Sequence, residues 1–112
     1  MEPSYHACAA CNYQRKKCAA NCILRRHFPK GKTNVFNAVH KIFGVANVTK
    51  MLRAANSLAD QDEIAKSLYW EALSWAKDPV RGPYGAHLQL EDEIRVLQER
   101  LLFLEKAERR PD

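Results

Sequence analysis

Along most of this chain, apolar residues recur at helical rather than strand spacing. Val35, Phe36, Val39, Ile42 and Phe43 fall on one face of a helix, and Gly44 offers a natural C-terminal stop. Asn47 is placed to cap a short helix running through Lys50, Leu52 and Ala55. Asp60-Gln61-Asp62-Glu63 reads as a capping box in which aspartate takes the usual place of serine or threonine. It opens a longer helix whose apolar side is Ile64, Leu68, Ala72, Leu73, Trp75 and Ala76, and Pro79 ends it. Residues 78–85, Asp-Pro-Val-Arg-Gly-Pro-Tyr-Gly, form a turn-rich hinge. No segment alternates as a strand does, and no long-period repeat is present.

Beyond the hinge the spacing changes. Leu90, Ile94, Leu97, Leu101 and Leu104 recur at intervals of 4, 3, 4 and 3. In a heptad frame the leucines at 90, 97 and 104 occupy d, while Ile94 and Leu101 occupy a. Leucine at d with a β-branched residue at a favours a parallel two-stranded coiled coil. Arg100 at g then faces Glu105 at e of a partner chain. The repeat is short and Glu108 interrupts the next a position. The competing reading is an amphipathic helix packed on its own domain, with Leu88, Leu102 and Phe103 serving that packing.

With 112 residues the chain suffices for one domain with a modest core. Its 46% hydrophobic and 28% charged residues are ordinary for a globular protein and argue against wholesale disorder. The longest strictly aliphatic or aromatic run is Leu101-Leu102-Phe103-Leu104, far short of a membrane span, and the first residues lack the apolar stretch of a signal peptide. Neither a secreted nor a membrane protein is expected. Charge is unevenly placed: residues 1–32 carry +6, residues 33–82 carry +1 and residues 83–112 carry −2, against +5 for the whole. A basic head on a slightly acidic tail suits a polyanion-binding end and a separate end for another task. A solvated face that only aids solubility is the plainer reading.

The cysteines shift that balance. All four lie between Cys8 and Cys22, spaced Cys-x2-Cys-x6-Cys-x3-Cys at Cys8, Cys11, Cys18 and Cys22. Without a secretory signal they are expected to stay reduced, which disfavours a disulfide framework. Four thiolates in fifteen residues suit one tetrahedral Zn(II), held by two short-spaced pairs. The loop between Asn12 and Lys17 would be fixed by the metal, and its cations Arg15, Lys16 and Lys17 are expected to lower the thiol pKa values. A redox Cys8-Ala-Ala-Cys11 motif would need a βαβ setting that is absent. A binuclear cluster begins with similar spacing but needs six cysteines. Four thiolates close the shell, so the zinc is structural rather than catalytic.

Taken together, these segments resemble the LOB (lateral organ boundaries) domain of plant transcription factors, from Cys8 to about Leu104. The cysteine block is reproduced as Cys-Ala-Ala-Cys-Asn-Tyr-Gln-Arg-Lys-Lys-Cys followed by Cys22. The family's Gly-Ala-Ser block matches through Phe36, residues 39–44 and residues 47–52. Its Asp-Pro-Val element stands at 78–80 with Gly82, and its leucine repeat is met at Leu90, Leu97 and Leu101. Val45-Ala46 replaces the block's Ala-Ser, Arg81 replaces a tyrosine, and Glu108 stands where a fourth leucine belongs. Family members carry a variable tail with activating or repressing sequences after the domain. This chain is expected to be either an isolated domain or a short member of the leucine-repeat class.

The resemblance implies sequence-specific binding to short GC-rich DNA elements as a homodimer or heterodimer, in the nucleus, regulating organ development. It implies a mainly α fold in one domain: a basic four-cysteine zinc module at 8–32, a helical block at 33–77, the hinge at 78–85 and a coiled-coil-like dimerisation helix at 86–108. Basic residues in the matching positions suit that role on their own chemistry. Arg15, Lys16 and Lys17 are candidates to read guanine edges. Arg25, Arg26, Lys30 and Lys32 suit phosphates, and Lys41, Asn47 and Lys50 are weaker candidates near helix ends. His27 and His40 are expected to be hydrogen-bonded structural residues, and Trp70 and Trp75 core residues. The rival reading is a zinc-stabilised protein–protein adaptor whose basic head binds an acidic partner. RNA binding lacks a visible stacking platform, and no nucleophile–base pair or carboxylate dyad marks an enzyme.

Overall fold

The computed structural model describes residues 7–109. Five helices follow one another: α1 (Ala9–Gln14), α2 (Thr33–Phe43), α3 (Val45–Arg53), α4 (Leu58–Lys77) and α5 (Pro83–Glu108). No strand occurs among the described residues. The mainly α expectation therefore holds, with the cysteine cluster preceding the long helices.

Helix α1 is not foreseen from the sequence, because the cysteine spacing hides it. The sulfur of Cys8 accepts a hydrogen bond from the Cys11 N–H and caps it. Asn12 to Gln14 are thus helical rather than loop. Arg15 ends the helix in the left-handed region, φ 54°, where its N–H bonds back to the Asn12 carbonyl. The chain between α1 and α2 runs in turns. It is pinned by a 2.8 Å bond from the Ala9 N–H to the Phe28 carbonyl.

Phe28 stands edge-on to Phe36 at 5.6 Å, and both are fully buried. Around them close Leu24, Val39, Val48, Leu52, Leu68 and Ala72, a core shared by the cysteine module and α2, α3 and α4. Spacings of three to four residues along each helix aim these side chains inward. Of the face expected on α2, Phe36 and Val39 are buried and Val35 and Phe43 half-buried, while Ile42 is exposed.

Two helix starts differ from expectation. Gly44 at φ 80°, not Asn47, precedes α3, and Asn47 lies in its first turn with its side-chain amide donating to the Phe43 carbonyl. The left-handed glycine turns the chain so sharply that α3 begins at once. Ser57, not Asp60, caps α4: its hydroxyl accepts from the Asp60 N–H at 3.0 Å. A hydroxyl three residues upstream of a carboxylate satisfies the capping geometry, and the aspartate run then fills the first turns.

On α4 the inward face is Ile64, Leu68 and Ala72, with Leu73 and Trp75 half-buried and Ala76 exposed. Trp70, expected in the core, is 48% exposed. At 100° per residue it stands about 200° from Leu68. Trp75 instead covers Gly82, whose backbone leaves no room for a side chain against the indole. Asp78 makes the turn by accepting from the Val80 and Arg81 N–H groups. Pro83 to Gly85 already belong to α5, because proline is preorganised for the first helical position.

Helix α5 buries no residue completely and projects away from the other four. The molecule extends 78 × 31 × 27 Å, and its radius of gyration is 20.7 Å. A compact domain of 100 residues has about 13 Å. Leu102 and Phe103 remain exposed, so packing of α5 on its own domain stops near its N-terminal turns, where Leu88 is half-buried.

Candidate metal centre and nucleic-acid interface

Cys8 and Cys11 lie at the start of α1, and the turns of residues 18–25 return Cys18 and Cys22 to them. All four sulfurs lie within 4.8 Å of one another, with no disulfide among them. Cys11 and Cys22 sulfurs are 3.7 Å apart, and Cys8 and Cys22 sulfurs 4.0 Å. Tetrahedral Zn(II) with Zn–S bonds of about 2.3 Å sets sulfur–sulfur edges near ~3.8 Å. Donor set and spacing therefore fit a structural zinc ion, which Cys8, Cys11, Cys18 and Cys22 would hold.

Loop cations were expected to lower the thiol pKa values, and this is corrected for two of them. Burial pushes Cys8 and Cys11 up. Burial would raise Cys18 too, but the Cys8 N–H and the Arg25 guanidinium outweigh it and pull that thiol down to about 6. The cation responsible is thus Arg25, 3.1 Å from the Cys18 sulfur, and not the exposed trio Arg15, Lys16 and Lys17.

The other basic candidates divide into engaged and exposed. Arg25 also donates to the Cys18 carbonyl. Arg26 is paired with Asp62 through two 2.8 Å bonds. Both are engaged within the chain, although the Arg26 side chain remains 50% exposed. Lys30 and Lys32 flank Gly31 in an exposed turn before α2. Lys41 borders a separate hollow with Ala38, Ala72 and Trp75. Lys50 shares a shallow hollow with Lys16, Gln14, Thr49 and Arg53. Arg53 escaped the sequence reading, although it follows Lys50 by three residues and so shares its helical face.

His27 is hydrogen-bonded as expected, whereas His40 is held by ring contacts. The His27 ring, its side chain 5% exposed, bonds Gln61 at 2.9 Å. His40 stacks on Phe36 at 5.0 Å and meets Tyr13 at 4.5 Å. At the far end, Leu90, Ile94, Leu97, Leu101 and Leu104 form one exposed apolar row on α5, each 51–59% accessible. Among the described residues no helix is long and apolar enough to cross a membrane.

Comparison with known proteins places this architecture. The family profile described as the Lateral organ boundaries (LOB) domain matches residues 7–106. LOB domain-containing protein 2 of Arabidopsis thaliana is 48% identical over 93 residues, covering 83% of this chain and 45% of the relative. LOB domain-containing protein 7 is 45% identical over 95 residues, covering 85% and 44%. Protein ASYMMETRIC LEAVES 2, from the same plant, is 38% identical over 91 residues, covering 81% and 45%. The chain spans about half the length of these relatives or less. With its cysteine cluster, its helical body and a family match over residues 7–106, the chain belongs to the Lateral organ boundaries (LOB) domain family.

Proposed function

We propose that this chain is the zinc-dependent DNA-binding domain of a nuclear plant transcription regulator, and that it reads short GC-rich duplex elements as a dimer. One observation carries the reading most directly: Lys16 of the metal module and Lys50 and Arg53 of α3 converge on one hollow beside the exposed Arg15-Lys16-Lys17 turn. Zinc orders the turn, and the core around Phe28 and Phe36 ties the module to the helices. Arg15, Lys16 and Lys17 are assigned to base edges, where arginine and lysine recognise guanine O6 and N7. Lys30, Lys32, Lys41, Lys50 and Arg53 are assigned to phosphates, which position the protein without reading sequence. Asn47 bonds the end of α2 and lines a neighbouring hollow that also includes Lys50. Arg25 and Arg26 act indirectly, through the metal site and the Asp62 pair.

Dimerisation is assigned to the exposed row from Leu90 to Leu104. A stripe of five large apolar side chains on a projecting helix is what a coiled-coil partner covers. The partner is a second copy or a relative with the same repeat, and two paired modules roughly double the phosphate contacts. In a parallel pair, Arg100 of one chain meets Glu105 of the other. Regulation of organ development is the role we propose from the family resemblance. The hollow is tested by Arg53→Ala: duplex binding should weaken for every sequence, and the log–log salt slope should shrink by about one. An unchanged slope would remove Arg53 from the interface.

A further inference from the structure

Besides the four thiols, the charged side chain of Arg25 reaches into the metal-binding cluster. The turn that carries the chain from Cys22 to Arg25, closed by a 3.2 Å bond between the Arg25 N–H and the Cys22 carbonyl, folds Arg25 back over Cys18. One guanidinium nitrogen, Nη2, is then 3.1 Å from the Cys18 sulfur and 3.3 Å from the Cys18 carbonyl oxygen. Hydrogen-bond donors are unevenly shared among the sulfurs. Cys18 receives Arg25 and the Cys8 N–H, and Cys8 receives the Cys11 N–H. The contacts of the Cys11 and Cys22 sulfurs found among the described residues are with other thiols. Cys22 is also half-buried, whereas the other three cysteines are buried.

Four thiolates around a divalent ion leave an excess of negative charge on the sulfurs. A donor to one sulfur draws off part of that charge, fixes the orientation of its lone pairs and makes it a poorer nucleophile. We propose that Arg25 is a positioning residue of the metal centre: by bridging the Cys18 sulfur and carbonyl it locks the Cys18 arm onto the ion and leaves half-buried Cys22 as the arm that electrophiles and chelators detach first. Arginine is suited to this because its planar fork presents several donors in fixed directions while its charge never titrates away.

This inference rests on zinc occupying the site, so the zinc content of each 112-residue chain is measured first. Wild type, Arg25→Gln and Arg25→Lys are loaded with zinc and challenged with the chromophoric chelator 4-(2-pyridylazo)resorcinol. In parallel, iodoacetamide labelling of each cysteine is followed by mass spectrometry. In wild type, Cys22 should be labelled first and Cys18 last. Arg25→Gln should yield zinc about tenfold faster, the usual size of a lost outer-shell contact, with Cys18 labelling accelerated more than Cys8 or Cys11. Arg25→Lys should fall between, because it restores the charge but not the bridge. A fully loaded Arg25→Gln protein with wild-type release and an unchanged labelling order would overturn the proposal. So would wild-type protein in which Cys18 reacts before Cys22. Should Arg25→Gln fail to hold zinc, Arg25→Lys carries the test, and unchanged Cys18 labelling in it overturns the proposal. A wild type that takes up no zinc would instead remove the metal reading itself.

Discussion

The Arg26 guanidinium donates two hydrogen bonds of 2.8 Å to the Asp62 carboxylate, 36 residues further along the chain. The pair ties the turn after Cys22 to the first turns of α4, beside the bond between His27 and Gln61. Hydrogen bonding to Arg26 holds the Asp62 carboxyl below its usual range. A cation so engaged joins two parts of the fold. Arg26→Gln should therefore lower the urea midpoint of the zinc-loaded protein while leaving the salt dependence of duplex binding unchanged. A slope smaller by about one would place Arg26 on a phosphate instead.

Zinc binding should release protons. Thiols are ordinarily protonated at neutral pH and burial pushes Cys8 and Cys11 further up, so at least these two protons leave when the metal takes their sulfurs. A raised thiol pKa makes protons compete with the metal, so zinc affinity should rise with pH through the neutral range. Titration calorimetry in buffers of different ionisation enthalpy counts the protons. Release of none would contradict the assigned protonation. Cys11→Ser removes one ligand and the Cys11–Cys22 contact, and should abolish both zinc retention and duplex binding. Structural zinc supplies about 10–16 kcal/mol in small zinc-finger peptides, more than the rest of so small a module can replace.

Arg15 separates stability from recognition. Its backbone sits at φ 54°, a left-handed conformation that costs an L-residue about 1–2 kcal/mol and glycine almost nothing. Arg15→Gly should raise the unfolding free energy by up to ~1 kcal/mol and at the same time weaken binding to a GC-rich duplex. Chemical denaturation and anisotropy on the same protein check both halves. A more stable protein with unchanged affinity would show that Arg15 only ends α1.

On α5 the central seam residue is Leu97, 59% exposed in the single chain. Leu97→Glu should yield monomer by multi-angle light scattering without loss of helical signal, and duplex affinity should fall with it. Persistence of a dimer would move the contact off the Leu90–Leu104 row.

Much of this is legible in the residues, for identifiable reasons. The cysteine spacing encodes a closed ligand set, and Phe36, Val39, Leu68 and Ala72 follow helical period onto the core. What stays hidden depends on through-space partners. Sequence gives Arg25 and Arg26 the same basic character, yet one turns to a sulfur and the other to Asp62, which no local pattern announces. Trp70 looks like core by its chemistry, but its angular position on α4 places it outside. Ser57 is masked by the acidic run beside it, which carries the louder capping signal. Helix α1 is masked because the cysteine spacing makes Asn12 to Gln14 look like part of a metal loop.

Ordering by zinc of a reader of GC-rich duplex DNA is tested by the anisotropy of a labelled GC-rich duplex and a scrambled one, titrated with zinc-loaded protein near physiological salt and again after chelation. The expected result is a preference of about a hundredfold, equivalent to ~2.7 kcal/mol, that disappears when the metal is removed. Equal, salt-sensitive binding to both duplexes would contradict it, reducing the basic head to a polyanion patch and favouring a protein partner.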